Sequence, residues 1–269
     1  MNSIEKYNFH IFNKLYNQIK NFAAKSNLTR QIISKNLLLN LLYYIASKNL
    51  RKKSLKCTTL KELVDLVFSY NYSISRFTPP KISIASLQIK SELYRFCKKI
   101  FSLKPRVILE IGTANGGTLF LLSKLSRPDS IIISVDLQKN LYTGGIDYKP
   151  KFFLKSFAHN NQKIIIIRKD SHKFSTLEKV KKVLNNKSLD ILFIDGDHTY
   201  KGVKKDFNMY GNLVRQNGII AFHDIVEVTI EEAVEVNKFW NELKEEYNYI
   251  EIVEDWNQDN CGIGIIINK

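Results

Sequence analysis

The chain has 269 residues, is 44% hydrophobic and 25% charged, and carries a formal net charge of +15. That balance excludes a disordered or collagen-like chain and allows one sizeable core with an appendage. Its cysteines, Cys57, Cys97 and Cys261, stand at no metal or redox spacing, which excludes a disulfide framework and a zinc knuckle and suits a reducing compartment.

Residues 1–104 hold 19 Lys and Arg against four Asp and Glu, whereas residues 105–269 hold 22 of each sign. The expected organisation is a basic helical extension over 1–104 and an electrostatically balanced domain over 105–269. The first thirty residues contain no apolar stretch of the secretory type, so a cytoplasmic location is expected.

Taken in chain order, Ile4, Tyr7, Ile11, Leu15 and Ile19 recur at helical spacing. Residues 30–50 are more apolar, with Leu37, Leu38, Leu39, Leu41 and Leu42 close together. The run 37–46 is short of the roughly 20 residues that cross a bilayer, and Arg51, Lys52, Lys53 and Lys56 follow it. Packing on neighbouring helices, or on a second copy in a homo-oligomer, is the favoured use of that face. Peripheral contact with an anionic membrane at the inner surface ranks second, and nucleic acid third. A third helix should start after an N-cap at Thr58 or Thr59 and run to about Tyr70. Pro79-Pro80 breaks the chain, and a fourth helix is expected near 84–101.

From Pro105 the pattern changes. The runs VILEI (107–111), SIIISVD (130–136), KIIIIR (163–168), LDILFID (189–195) and GIIAFHD (218–224) are apolar without alternation. Helical stretches near 115–126, 150–161, 174–185 and 199–215 separate them, as in a parallel sheet covered on both faces. A helix near 230–246 precedes YIEIVED (249–255) and CGIGIIIN (261–268), expected to pair antiparallel because no helix separates them.

In such a sheet ligands bind at the carboxyl ends of the strands, and those ends are rich in chemistry. The first is followed by E-I-G-T-A-N-G-G-T, Glu110 to Thr118, in which Gly112, Gly116 and Gly117 allow a ligand to approach the backbone. This G-x-x-x-G-G spacing is neither the dinucleotide fingerprint nor the triphosphate loop. Asp136 is placed to accept ribose hydroxyls and Asp170 to face an adenine. The fourth strand ends in Asp195-Gly-Asp197-His198 and the fifth in His223-Asp224. The loop 138–152, with Gly144-Gly145, is long enough to serve as a lid. Asp197 reads either as a turn or cap residue or as part of the site, His172 as a surface or hydrogen-bonded residue rather than a base, and Asp206 with Lys204-Lys205 as a solvated helix face.

E-I-G-T-A-N-G-G-T-L-F, S-V-D-L, R-K-D-S-H, F-I-D-G-D-H-T-Y-K-G-V-K-K-D-F and G-I-I-A-F-H-D resemble class I S-adenosylmethionine-dependent methyltransferases. The closer resemblance is to the branch of macrocin-type O-methyltransferases and proteins labelled cephalosporin hydroxylase. It covers about residues 105–269 and implies an α/β, Rossmann-like, seven-stranded mostly parallel sheet with one antiparallel strand. It also implies S-adenosyl-L-methionine as cofactor, with Glu110, Gly112, Thr113, Asn115, Gly116 and Gly117 at its methionine part. Asp136 would then hold its ribose, and Asp170 and Ser171 its adenine. Related O-methyltransferases hold Mg²⁺ with carboxylates after strands four and five, which would here be Asp195 and Asp224, with His223 at the third position. Imidazole suits other metals better than Mg²⁺. Three options stay open: a water-completed Mg²⁺ site, another divalent cation, or no metal with His198 or His223 as base beside Asp195. The expected activity is O-methylation of a hydroxyl on a sugar, glycan or secondary metabolite. The alternatives are an RNA or ribose methyltransferase gripping phosphate with the basic part, and a non-catalytic cofactor-binding module.

Overall fold

The computed structural model describes residues 28–73, 81–137, 149–228 and 234–269, together with residues 14, 17 and 18. The helix expected over 4–19, Pro79-Pro80 and the glycine pair of the 138–152 loop therefore lie largely or wholly outside the described residues. Seven strands form the main sheet: β1 (Val107–Ile111), β2 (Ile131–Asp136), β3 (Lys163–Arg168), β4 (Leu189–Ile194), β5 (Val214–His223), β6 (Tyr249–Ile252) and β7 (Ile263–Ile267). Their order is β3-β2-β1-β4-β5-β7-β6. The first five are parallel, and β7 runs antiparallel to both β5 and β6. This is the sheet implied by the resemblance, a Rossmann-like fold with one reversed strand.

Every residue of β1 is buried, because β1 sits inside the sheet and helices cover both its faces. The chain steps from β1 to β2 to β3 on one side and returns to β4 on the other. Two loops therefore diverge between the tips of β1 and β4, leaving a crevice there.

The helices are α1 (Leu28–Ser54), α2 (Leu60–Ser69), α3 (Lys90–Leu103), α4 (Gly117–Leu125), α5 (Lys151–Lys155), α6 (Phe174–Leu184), α7 (Tyr200–Tyr210) and α8 (Val236–Glu246). The start of α2 is a capping box: Thr59 Oγ1 accepts the Glu62 amide, and the Glu62 carboxylate accepts the Thr59 amide at 3.1 Å. Thr59, one of the two expected N-caps, is thus the cap. On one face of the sheet Val180, Tyr210, Phe222, Trp240 and Leu243 belong to a single apolar cluster. Elsewhere in the core Phe96 of α3 meets Phe193 of β4 with ring centroids 5.3 Å apart.

Compact packing divides the chain at Leu50/Arg51, not at the boundary expected at 104/105. Helices α2 and α3 pack on each other and on α4, and α3 also touches β6 and β7, which makes 51–104 part of the sheet unit. The charge boundary and the packing boundary are thus different properties of the chain. Among the described residues no helix is long and apolar enough to cross a membrane.

Other element ends also move. Helix α3 begins at Lys90, because Ile82–Ser83 pairs antiparallel with Asn71–Tyr72 and the chain runs on as a loop to Ile89. Helix α5 stops at Lys155, and Asn160 takes a left-handed turn before β3. Helix α7 ends at Tyr210, and a single 3₁₀ turn leads into a ten-residue β5 that starts at Val214. Strand β6 ends at Ile252, which frees the segment up to Gly262 as a loop.

Candidate active site

The crevice at the β1 and β4 tips is closed at its base by backbone contact. The Asp195 amide donates to the Ile111 carbonyl at 2.8 Å, and the Gly112 amide donates to the Val135 carbonyl at 2.9 Å. Gly112 has φ +90°, and a Cβ there would stand 1.8 Å from the Asp195 carbonyl oxygen. Gly116, also left-handed at +86°, is the residue before α4 and offers no side chain to cap it. The first amides of α4 are therefore open to a ligand.

A cavity of about 420 Å³ opens from this loop, within the range that holds cofactor-sized ligands. Its walls include Gly112, Thr113, Asn115, Gly117 and Thr118 on the glycine-loop side, and Asp195, His198, His223 and Asp224 from the tips of β4 and β5. The sequence-predicted sulfonium side and acceptor side thus meet in one space. Two further stretches that sequence reasoning missed, Ala85–Leu87 and Asp259–Cys261, line it as well, together with Val228 and Val234. Neither has periodicity or a motif; the only available signals were the Cys261-Gly262 step before an apolar run and the polar Gln88 ahead of α3. Gln88, nearly buried, donates from Nε2 to Asp195 Oδ2 at 3.2 Å and accepts from the Thr118 hydroxyl at 3.4 Å.

The remaining cofactor candidates flank that space and do not line it. Glu110 is fully buried, and its carboxyl oxygens have no aligned hydrogen-bond partner. Burial pushes its pKa well above the ordinary carboxylate range, against the lowering effect of the Ser134 hydroxyl. Beside it the hydroxyls of Thr113 and Ser134 bond to each other. Asp136 accepts from Arg168 Nη1 at 3.0 Å. Burial raises the Asp136 pKa, and the Arg168 charge opposes that rise. Asp170 Oδ1 accepts the amide of His172 at 2.8 Å, and the Ser171 carbonyl accepts the Tyr210 hydroxyl at 2.7 Å.

At the acid and histidine tips the geometry is tight. His198 Nδ1 lies 2.5 Å from Asp224 Oδ2, and His223 Nδ1 lies 3.2 Å from Asp195 Oδ1 and 3.1 Å from Asp224 Oδ1. The buried His223 ring is within ion-pair distance of both carboxylates but out of line for a hydrogen bond to either. Burial alone would lower the pKa of His223; the two carboxylates outweigh it and hold the ring protonated well above the usual imidazole value. The bond to Asp224 raises the pKa of His198, while burial works against it. For Asp224, burial is overcome by the His223 charge and the His198 bond, and its pKa falls far below the ordinary value.

The donor set expected for a metal, Asp195, His223 and Asp224, is not the one assembled here. Ligand atoms of Asp195, His198 and Asp224 lie within 4.8 Å of one another, whereas His223 groups with Asp224 and Cys261. Two carboxylates and one imidazole in that space fit a divalent cation, with His198 in the place expected for His223.

A second His–Asp cluster stands apart. Asp206 is fully buried rather than on a solvated face, and its Oδ1 lies 3.4 Å from His172 Nε2. The Asp206 bond raises the His172 pKa against the opposing effect of burial, which ties the β3 loop to α7. Asp197 accepts the amide and hydroxyl of Thr199, the N-cap of α7. It is a turn residue, one of the two readings the sequence left open.

Comparison with known proteins agrees with this architecture. Residues 109–225 match the family described as "Methyltransferase domain". An uncharacterized protein of Acanthamoeba polyphaga mimivirus is 32% identical over 116 residues, covering 43% of this chain and 50% of that protein. An uncharacterized protein of Sinorhizobium fredii is 27% identical over 150 residues, covering 54% of this chain and 16% of that one. The chain thus spans half or less of the length of these relatives. Among solved structures, an O-methyltransferase from Bacillus cereus in complex with SAH shares the fold. Its TM-score is 0.50 at 15% identity, over 79% of this chain and 92% of that one. Residues 109–225 thus resemble a methyltransferase domain, and the strand order and the glycine loop agree with that resemblance.

Proposed function

We propose that this domain transfers a methyl group from S-adenosylmethionine to a hydroxyl of a sugar, glycan or secondary metabolite. One observation carries the reading: a single cavity joins the Gly112–Thr118 loop to the Asp195, His198 and Asp224 cluster. Bound S-adenosylmethionine supplies an electrophilic methyl group on a sulfonium, so the protein has only to align an acceptor and take its proton. The Gly112–Asn115 backbone and the first amides of α4 suit the amino-acid end of that cofactor, and Asp136 its ribose. Asp195, Asp224, Asp259 and Asn260 line the cavity and offer hydrogen-bond partners that suit a polyol acceptor.

His198 is the base in this reading. Asp224 holds Nδ1, so Nε2 is the nitrogen left to accept the acceptor proton, in the manner of an aspartate-oriented histidine. Alternatively, with His198 a ligand and not a base, a divalent cation would be held by Asp195, His198 and Asp224 and would itself acidify the acceptor hydroxyl.

Thermal melting of the full chain with S-adenosylmethionine, S-adenosylhomocysteine, NAD or ATP tests the reading. The first two, near 100 times their Kd, should raise Tm by about 5 °C. A larger shift with NAD or ATP, or none with any of the four, would overturn it. A second set of melts with Mg²⁺ and with EDTA tests the cation: a shift that EDTA abolishes supports the three-ligand set. Asp136→Ala should weaken S-adenosylhomocysteine binding about tenfold through loss of charge-assisted bonds to the ribose. Unchanged affinity by calorimetry would remove Asp136 from the site.

A further inference from the structure

A buried carboxylate outside the matched segment grips one wall of the cavity. Glu92, in the first turn of α3, is fully buried. Its Oε1 accepts the Glu254 amide at 2.9 Å and Gln258 Nε2 at 2.8 Å, and its Oε2 accepts the Gly262 amide at 2.9 Å. These donors come from the start, middle and end of the loop between β6 and β7. Arg95 and Ser91 of the same helix add contacts to the Val253 carbonyl and the Glu254 carboxylate.

The loop ends in two consecutive left-handed residues, Cys261 at φ +68° and Gly262 at φ +78°. A cysteine rarely adopts that conformation, because its Cβ crowds the following carbonyl. Here the neighbouring amides are each held by a carboxylate: Cys261 donates to Asp224 Oδ1 at 3.2 Å and Gly262 donates to Glu92 Oε2. The Cys261 carbonyl in turn accepts the Val226 amide at 3.1 Å, two residues after the left-handed Asp224. Asp259, Asn260 and Cys261 line the cavity together with Asp224.

We propose that Glu92 is a positioning residue for the acceptor side of the cavity. It fixes the Cys261-Gly262 turn, and the turn fixes the Asp224 carboxylate. This deepens the methyl-transfer reading and rests on it for what the cavity receives.

The three thiols of the chain make the test direct. Cys261 lies in the turn and is nearly buried, Cys97 is buried on α3 five residues after Glu92, and Cys57 is more accessible. Glu92→Gln keeps the size of the side chain but sets an N–H against one of the three donors. In the full-length protein, iodoacetamide should then alkylate Cys261 about tenfold faster than in the wild type, as the turn opens locally. Cys97 labelling and S-adenosylhomocysteine affinity should stay within about twofold. An unchanged Cys261 rate overturns the proposal. A parallel rise at Cys261 and Cys97 also overturns it, because Glu92 would then hold the helix and not the turn. Should Glu92→Gln not fold, Gln258→Ala removes one donor and leaves the buried carboxylate. It should speed Cys261 about threefold with Cys97 unchanged, with the same outcomes decisive. If wild-type protein fails to bind S-adenosylhomocysteine, the methyltransferase reading falls while the labelling comparison still judges the brace.

Discussion

Gly112→Ala should lower Tm by about 10 °C, a cost of about 3 kcal/mol or more for a unit of this size. Two independent effects add. At φ +90° a residue with a Cβ costs about 1–2 kcal/mol more than glycine. The new methyl would also stand 1.8 Å from the Asp195 carbonyl oxygen and 2.5 Å from its carbon. Those are backbone atoms at the end of β4, which cannot rotate away as a side chain would. The tips of β1 and β4 must then separate, and with them the two halves of the cavity, so S-adenosylhomocysteine binding should be lost together with the stability. Gly211→Ala is the control, since a Cβ there meets the Phe207 ring at an ordinary 3.4 Å and should change stability by no more than about 0.5 kcal/mol. Circular dichroism melts of both variants decide the matter. A Gly112→Ala protein melting within about 2 °C of the wild type would mean that the strand tips are not locked as described.

That lock explains why so much of the fold was legible. The five apolar runs from 107 to 224 are unbroken by polar alternation because both faces of those strands are covered. Buried strands of this kind also announce their ends, where carboxylates and glycines gather as the chain leaves the core; Glu110, buried within β1, is an exception. Gly112, Asp195 and Asp224 were therefore visible as a group, and the cavity joins them.

Residues whose role depends on distant partners were not legible. Ala85–Leu87 and Asp259–Cys261 line the same cavity but come from opposite ends of the unit, in loops without period. Asp206 sits in K-K-D, a pattern that reads as a wet helix face, yet it is fully buried against His172 of another element. Exchanging His223 for His198 in the cation-fitting set is of the same kind. Adjacency in sequence put His223 beside Asp224, but the ring is buried between two carboxylates, whereas His198 reaches Asp224 across the cavity lining. Glu92 gave no signal at all, because its three partners are backbone amides and an amide some 160 residues along the chain.

Asp224→Asn should cost about 3 kcal/mol at pH 5 and much less at pH 9, since it removes one partner of a buried ion pair. Asparagine tolerates the left-handed backbone at φ +62°, so the change isolates the charge. His198 and His223 have pKa values raised above the ordinary 6.5. Their contribution to stability is complete below 6.5 and is lost as pH rises through the folded-state values. Asp224 has a lowered pKa, so its contribution is present above the ordinary 3.8 and is lost only as pH falls toward its folded-state value. The two windows overlap between 3.8 and 6.5, where wild type and variant should differ most. Most of the effect belongs to the His223 pair, which is buried on both sides, because the His198 side chain is 39% exposed and screened by solvent. Asparagine also turns an N–H toward His198 or Cys261. Set against His198 Nδ1, it would favour the tautomer with the proton on Nε2 and leave no free nitrogen for an acceptor hydroxyl. By analogy with other aspartate-oriented histidines, methyl transfer should fall about 10²–10⁴-fold. S-adenosylhomocysteine affinity, set by the other side of the cavity, should hold. Urea unfolding at pH 5 and pH 9 checks the first part. A wild-type advantage that is flat or grows with pH would mean that charge on the histidines does not hold this cluster together.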